Sequence, residues 1–157
     1  MEIQLLCIGK PDRTFWAEAL ELYEKRLQHY VKFSLIYIPD IKSSKKSDPK
    51  KIKAEEAKQL LQKIKPEDTV ILLDEKGETF SSVSFSKEIE NHMISGKKRV
   101  FFIVGGAYGF SEVLYQKFPR RMALSEMTFS HQMVRLFFCE QLYRAFTLLN
   151  NHPYHNA

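Results

Sequence analysis

The chain has 157 residues, the usual size of one compact domain, and its 12 Phe and 7 Tyr can fill a core, so no disulfide or metal framework is needed. Its formal charge of +5 favours polyanionic partners, although charge alone does not select nucleic acid. No apolar run approaches the roughly 18 residues of a membrane span, and the N-terminus lacks the basic region and long apolar stretch of a secretory signal, which reads as a soluble, cytosolic protein.

Residues 2 to 8 read as a buried strand, and Trp16, Leu20, Tyr23, Leu27 and Tyr30 then recur at helical spacing. Phe33 to Ile38 is a second strand, closed by Pro39. A Lys/Ser stretch from Lys42 to Lys53 reads as a solvated loop, with an RNA-contacting arm as the alternative. Asp48-Pro49 starts a helix expected to reach about Ile64. Thr69 to Leu73 is a strand ending in the turn signal Asp74-Glu75-Lys76-Gly77, and a helix with Phe85, Ile89 and Met93 follows to Gly96. Val100 to Val104 is the most apolar strand; Ser111 is expected to cap a short helix beyond it, and Met122 to Leu124 is the last strand.

From His131 to Asn150 the chain is helical and apolar on more than one face, with Val134, Phe137, Phe138, Leu142, Ala145 and Phe146. Such a helix needs two neighbours, read here as its own sheet and a second subunit, so a homodimer is expected. Strands alternating with helices over residues 1 to 157 make a single α/β domain with a mostly parallel sheet covered on both faces. Cys7 and Cys139 sit in apolar runs without ligand spacing and read as reduced, buried thiols.

Ligands of open α/β sheets bind at the carboxyl ends of strands, and three loops there are unusual: residues 73 to 77, the glycine loop Gly105-Gly106-Ala107-Tyr108-Gly109, and residues 124 to 130. Glycines 105, 106 and 109 permit positive φ and close approach of a ligand to the backbone. Their spacing is neither a dinucleotide fingerprint nor a phosphate cradle. The tail from Asn150 to Asn156 concentrates two imidazoles, a phenol and three amides, yet no cluster of metal ligands accompanies it, so no metal is expected. His131 reads as a helix cap.

Three blocks together resemble the ribosomal RNA large subunit methyltransferase H family, small enzymes of the SPOUT class: Leu72-Leu73-Asp74-Glu75-Lys76-Gly77, Phe102-Ile103-Val104-Gly105-Gly106-Ala107-Tyr108-Gly109, and Leu124 through Asn151-His152-Pro153-Tyr154-His155. The resemblance implies a C-terminal trefoil knot and S-adenosyl-L-methionine held by Leu73, Gly105, Gly106, Ser125, Glu126, Met127, Thr128, Phe129 and Ser130. It also implies methylation of N3 of a pseudouridine in 23S ribosomal RNA. The family often has proline where this chain has Ser130. The chemistry must align donor and acceptor and stabilise a uracil anion, for which Arg135 and Arg144 are the cationic candidates and Tyr154 and His155 the orienting or proton-relaying ones. A non-catalytic RNA-binding α/β module is the alternative, and calorimetry with the cofactor separates the two.

Overall fold

The computed structural model describes residues 1 to 41 and 48 to 155. Five strands, β1 (Glu2–Ile8), β2 (Lys32–Ile38), β3 (Thr69–Thr79), β4 (Arg99–Val104) and β5 (Arg121–Ala123), alternate with five helices, α1 (Thr14–Leu27), α2 (Pro49–Leu61), α3 (Ser82–Ile94), α4 (Glu112–Lys117) and α5 (His131–Leu149). The strands form one sheet in the order β2-β1-β4-β3-β5, and every pairing is parallel.

The pleat divides the strand residues between two cores. Ile3, Leu5 and Cys7 of β1 and Val100, Phe102 and Val104 of β4 face α1, α3 and α5; Leu6, Ile8, Phe101 and Ile103 face α2 and α4. Both faces are thus dry, which explains why β1 and β4 read as continuous apolar runs rather than alternating ones. Phe102 is the centre of the larger core, with Phe138 at 4.5 Å and Phe85 at 6.3 Å between ring centroids.

The helix starts follow local chemistry. The Asp48 side chain accepts from the Lys50 amide at 3.0 Å with Pro49 at the first helical position, and Ser81 accepts from Ser84 at 3.0 Å. Ser130 accepts from the Met133 amide at 3.4 Å, so it caps α5, and His131 is the first helical residue rather than the cap. Ser111 precedes α4, but its hydroxyl is buried and makes no hydrogen bond among the described residues, so the expected side-chain cap is absent.

The turn expected at Asp74 to Gly77 is instead strand. β3 runs on to Thr79, and its pairing with β5 shifts register between Leu73 and Glu78. Gly77 permits this: a Cβ there would lie 2.5 Å from the Met122 backbone nitrogen. The α2 helix stops at Leu61, short of Ile64, and α1 stops at Leu27, leaving Tyr30 in the following turn. Lys42, Lys45 and Lys46 lie outside the described residues, whereas Lys50 and Lys51 are exposed in the first turn of α2.

The apolar circumference of α5 is satisfied within the chain, because it packs against α1 on one side, α3 on the other and the sheet beneath. Its breadth therefore gives no separate argument for a second subunit. Cys7 and Cys139 are free and buried as expected, and burial pushes the Cys7 thiol up to about 12.

Candidate active site

The middle of β3, where its pairing with β5 shifts register, and the loops after β4 and β5 open onto a groove of about 520 Å³, within the size range of small-molecule sites. Leu73, Gly105, Gly106, Ser125, Met127, Thr128, Phe129 and Ser130 all line it. Glu126, the remaining cofactor candidate, is exposed and outside the lining: the chain turns at Ser125, whose hydroxyl accepts from the Met127 amide at 3.0 Å, and the Glu126 side chain is left in solvent.

Polar contacts tie the loops together. Thr128 donates to Glu75 at 2.8 Å, joining the last loop to β3, and the Tyr115 phenol donates to Asp74 at 2.5 Å, joining α4 to it. Burial and the Asp74 carboxylate push that phenol up to about 12. The groove thus offers the apolar walls of Leu73, Phe129 and Val134 beside the carboxylates of Asp74 and Glu75. Those walls and acceptors suit a flat heterocycle attached to a cationic, hydroxyl-bearing group.

In the glycine loop only Gly109 has a positive φ, +71°, and Gly105 and Gly106 do not. Gly106 is required for space. A Cβ there would lie 2.6 Å from a Glu56 carboxyl oxygen on α2, on the side away from the groove. Glu56, at 7% exposure, is a groove-backing residue that helical periodicity alone does not reveal.

The four residues proposed for catalysis divide. Arg135 is wholly buried, donating to the Ile8 carbonyl and, at 3.3 Å, to Gln132, and it is not part of the groove wall. Its guanidinium secures the end of β1 to α5, so this cationic candidate lies behind the groove and not in its wall. Arg144, Tyr154 and His155 come together around Glu140. Arg144 donates to Glu140 at 2.5 and 3.1 Å and stacks over the Tyr154 ring at 4.8 Å, and Tyr154 donates to Glu140 at 3.2 Å. The Arg144 guanidinium lies 3.3 Å from His155 Nδ1. Because a guanidinium only donates, Nδ1 accepts, and the neutral imidazole carries its proton on Nε2.

Burial, a hydrogen bond with Tyr23 and the Glu140 charge raise the Tyr154 phenol well above its ordinary value, while Glu140 raises Arg144. Glu140 was missed in the sequence, although its spacing of four residues before Arg144 on one helix is the signal for such a pair. His152 accepts or donates at 2.6 Å with Tyr30. This cluster is not beside its own groove. His131 and Val134 line the groove, and Arg144 follows ten residues after Val134 on the same helix, about 15 Å along the axis at the usual helical rise.

Residues 1 to 155 match the family described as "Predicted SPOUT methyltransferase". Over 156 residues the chain is 51% identical to the ribosomal RNA large subunit methyltransferase H of Christiangramia forsetii, covering 99% of each protein. The namesakes from Flavobacterium johnsoniae and Bacteroides fragilis are 51% and 38% identical over the same shares. The fold is similar to that of a probable methylase family protein from Haemophilus influenzae Rd KW20, with a TM-score of 0.50 at 12% identity, covering 95% of this chain and 66% of that one. A groove built by β3 and the loops after β4 and β5 and a likeness running the whole length of the chain agree: it belongs to the SPOUT methyltransferases, in the family of ribosomal RNA large subunit methyltransferase H.

Proposed function

We propose that the protein is an S-adenosyl-L-methionine-dependent methyltransferase acting on N3 of a pseudouridine in 23S ribosomal RNA, and that it works as a homodimer in the cytoplasm. The groove supports the cofactor part of this reading, and the family likeness its ribosomal RNA part. Its apolar walls accept an adenine face, while Asp74 and Glu75 can receive ribose hydroxyls or the ammonium. The cofactor supplies an electrophilic methyl group on a sulfonium.

The chain's own residues supply orientation and charge. N3 of the base must lose its proton, leaving negative charge shared with the two neighbouring carbonyl oxygens. Arg144 and the Nε2–H of His155 are donors suited to that charge, with Glu140 and Tyr154 holding Arg144 in place. With His155 Nδ1 occupied and the Tyr154 phenol raised, the N3 proton passes to solvent water, and Arg144 and His155 stabilise the anion it leaves.

Since the tail cluster and its own groove are at opposite ends of α5, a complete site requires the tail of one subunit to meet the groove of another. An exposed apolar stripe supports pairing of two copies: Phe15, 58% exposed, Leu22, 48% exposed, and the partly buried Trp16 on α1. The family reading also carries a trefoil knot in the C-terminal segment. No helix among the described residues is long and apolar enough to cross a membrane, which agrees with a cytoplasmic substrate.

The test is methylation of purified ribosomal particles with labelled cofactor, followed by mass mapping of the modified nucleotide. One methyl group on N3 of a pseudouridine in 23S RNA is expected; incorporation at another atom or base, or none, refutes the proposal.

A further inference from the structure

Glu56 is a carboxyl group placed one layer of backbone behind the groove. It sits in the middle of α2 with 7% of its surface exposed, and its two oxygens lie 2.6 and 2.9 Å from where a Cβ on Gly106 would be. Gly106 forms the groove wall on its other side. A side chain on Gly106 would drive the carboxyl away from the loop; glycine lets it lie directly against the backbone that forms the groove wall.

The surroundings are specific. The charge acting on Glu56 is that of Asp40, which follows β2 and packs against Gly9. Beyond Asp40 stand Asp12 from the loop before α1 and, at the head of α5, His131 and the buried Arg135. Lys53 lies one turn before Glu56 on α2, and α4, on the same face of the sheet, carries Glu112 and Lys117. Burial first and Asp40 second push the Glu56 carboxyl up to about 7, so it changes charge near neutrality.

We propose that Glu56 is a positioning residue that acts through the Gly106 backbone, its carboxylate favouring the cationic sulfonium donor in the groove over the thioether left after methyl transfer. The inference rests on the groove binding S-adenosyl-L-methionine. The donor carries a net positive charge, from sulfonium, ammonium and carboxylate, whereas S-adenosylhomocysteine carries none. A negative charge behind the wall therefore holds the donor and relaxes its hold once the methyl group has left. Across about 8 Å of protein at an effective dielectric of ~20–40, one unit charge changes affinity by roughly five- to thirtyfold.

Linkage gives the sign. Binding a cation favours ionised Glu56, so donor binding expels a proton from it and tightens as pH rises through about 7, while product binding does not change through this group. His131, in the groove wall, works in the same direction at lower pH, because burial and Arg135 depress its imidazole below the usual range. Asp74 and Glu75 are present in every variant and cancel.

The experiment is calorimetric titration of the full chain with S-adenosyl-L-methionine and with S-adenosylhomocysteine between pH 5.5 and 7.5, for wild type, Glu56→Gln and Asp40→Asn. Each variant is compared with wild type at each pH, which removes titration of the ligands themselves. In wild type the Glu56 part of the preference for donor over product should rise roughly four- to twelvefold across the range, because a carboxyl centred near 7 is only partly titrated within it, and His131 adds to the rise at the lower end. Glu56→Gln should lose the upper part of that rise and keep the lower, and Asp40→Asn should move its midpoint to lower pH. If Glu56→Gln keeps the wild-type rise, or if wild type shows none, the proposal fails while cofactor binding stands. If neither ligand binds wild type, the cofactor reading fails and takes this proposal with it. Should Glu56→Gln not fold, the wild-type rise and the Asp40→Asn midpoint still decide the matter: an unmoved midpoint refutes the proposal.

Discussion

Burying the Glu56 carboxyl beside Asp40 makes the folded protein hold a proton that the unfolded chain releases at the ordinary carboxylate value. Its contribution to stability is complete below about 4.5 and is lost as pH rises through about 7, where the native state must carry a buried charge. Glu56→Gln keeps the shape and removes the charge. It should leave the melting temperature unchanged near pH 4.5 and raise it by roughly 3–6 °C at pH 8, measured by calorimetry; a variant that melts below wild type at pH 8 would show that the carboxylate is stabilised by its surroundings. The same residue explains Gly106. The sequence suggests that this glycine turns its bare face to the ligand, but the missing side chain makes room for Glu56. Because Glu56 is buried and has little room to swing aside, Gly106→Ala should weaken cofactor binding by pushing the loop into the groove. Truncating the obstacle as well, in Gly106→Ala with Glu56→Ala, should recover most of the steric part of the loss when affinities are compared at pH 6. No recovery would mean that the alanine meets the ligand itself.

Elements obey the same logic of neighbours brought from far away. Gly77 lets the bulged half of β3 lie against β5, and a Cβ there would meet Met122 and Arg121 backbone atoms at 2.5 to 2.6 Å. Backbone cannot yield as a flexible side chain can, so Gly77→Ala should cost about 1–3 kcal/mol or more in denaturant unfolding. Phe138→Ala, which empties a fully buried site between Phe85 and Phe102, should cost about 3–5 kcal/mol by the same measurement. Losses below 1 kcal/mol at both positions would contradict the packing described. The order of strands and helices is legible because burial on both sheet faces writes long apolar runs into β1 and β4, and helical spacing survives in α1, α3 and α5. The second half of β3 is not legible: Asp74-Glu75-Lys76-Gly77 has turn chemistry, and only pairing with Met122 and Ala123 makes it strand. Likewise the three loops are legible from their place along the chain and the resemblance picks eight residues that line the groove, but Glu126 is left outside it, since the turn at Ser125 decides which side chains point inward. Arg135 looks like a free cation on a helix; its burial depends on the Ile8 carbonyl, 127 positions away in sequence.

At the scale of the molecule, the separation of the groove from the tail cluster along α5 becomes a statement about assembly. A chain acting alone would leave Arg144, with Tyr154 and His155 gathered around it, about 15 Å along α5 from Val134, the nearest groove-lining residue of that helix, beyond the reach of a base seated in that groove. Leu22→Asp, placing a charge on the exposed α1 stripe, should convert a dimer to monomer in sedimentation and abolish methylation while leaving cofactor affinity nearly unchanged. Mixed dimers separate action within a chain from action across the pair. One subunit lacks residues 152 to 157 and so has a groove without a tail; the other carries Thr128→Arg, which sets a cation in the groove and breaks the bond to Glu75 but spares the tail. Each homodimer should lose turnover by roughly a hundredfold or more. If the tail of one subunit serves the groove of the other, the mixed dimer contains one site with both parts intact and should recover about half of the wild-type rate. If the tail serves its own groove, no site in the mixed dimer is complete, and its rate should stay as low as that of either parent, which would send the search for catalytic groups back to the residues lining the groove itself.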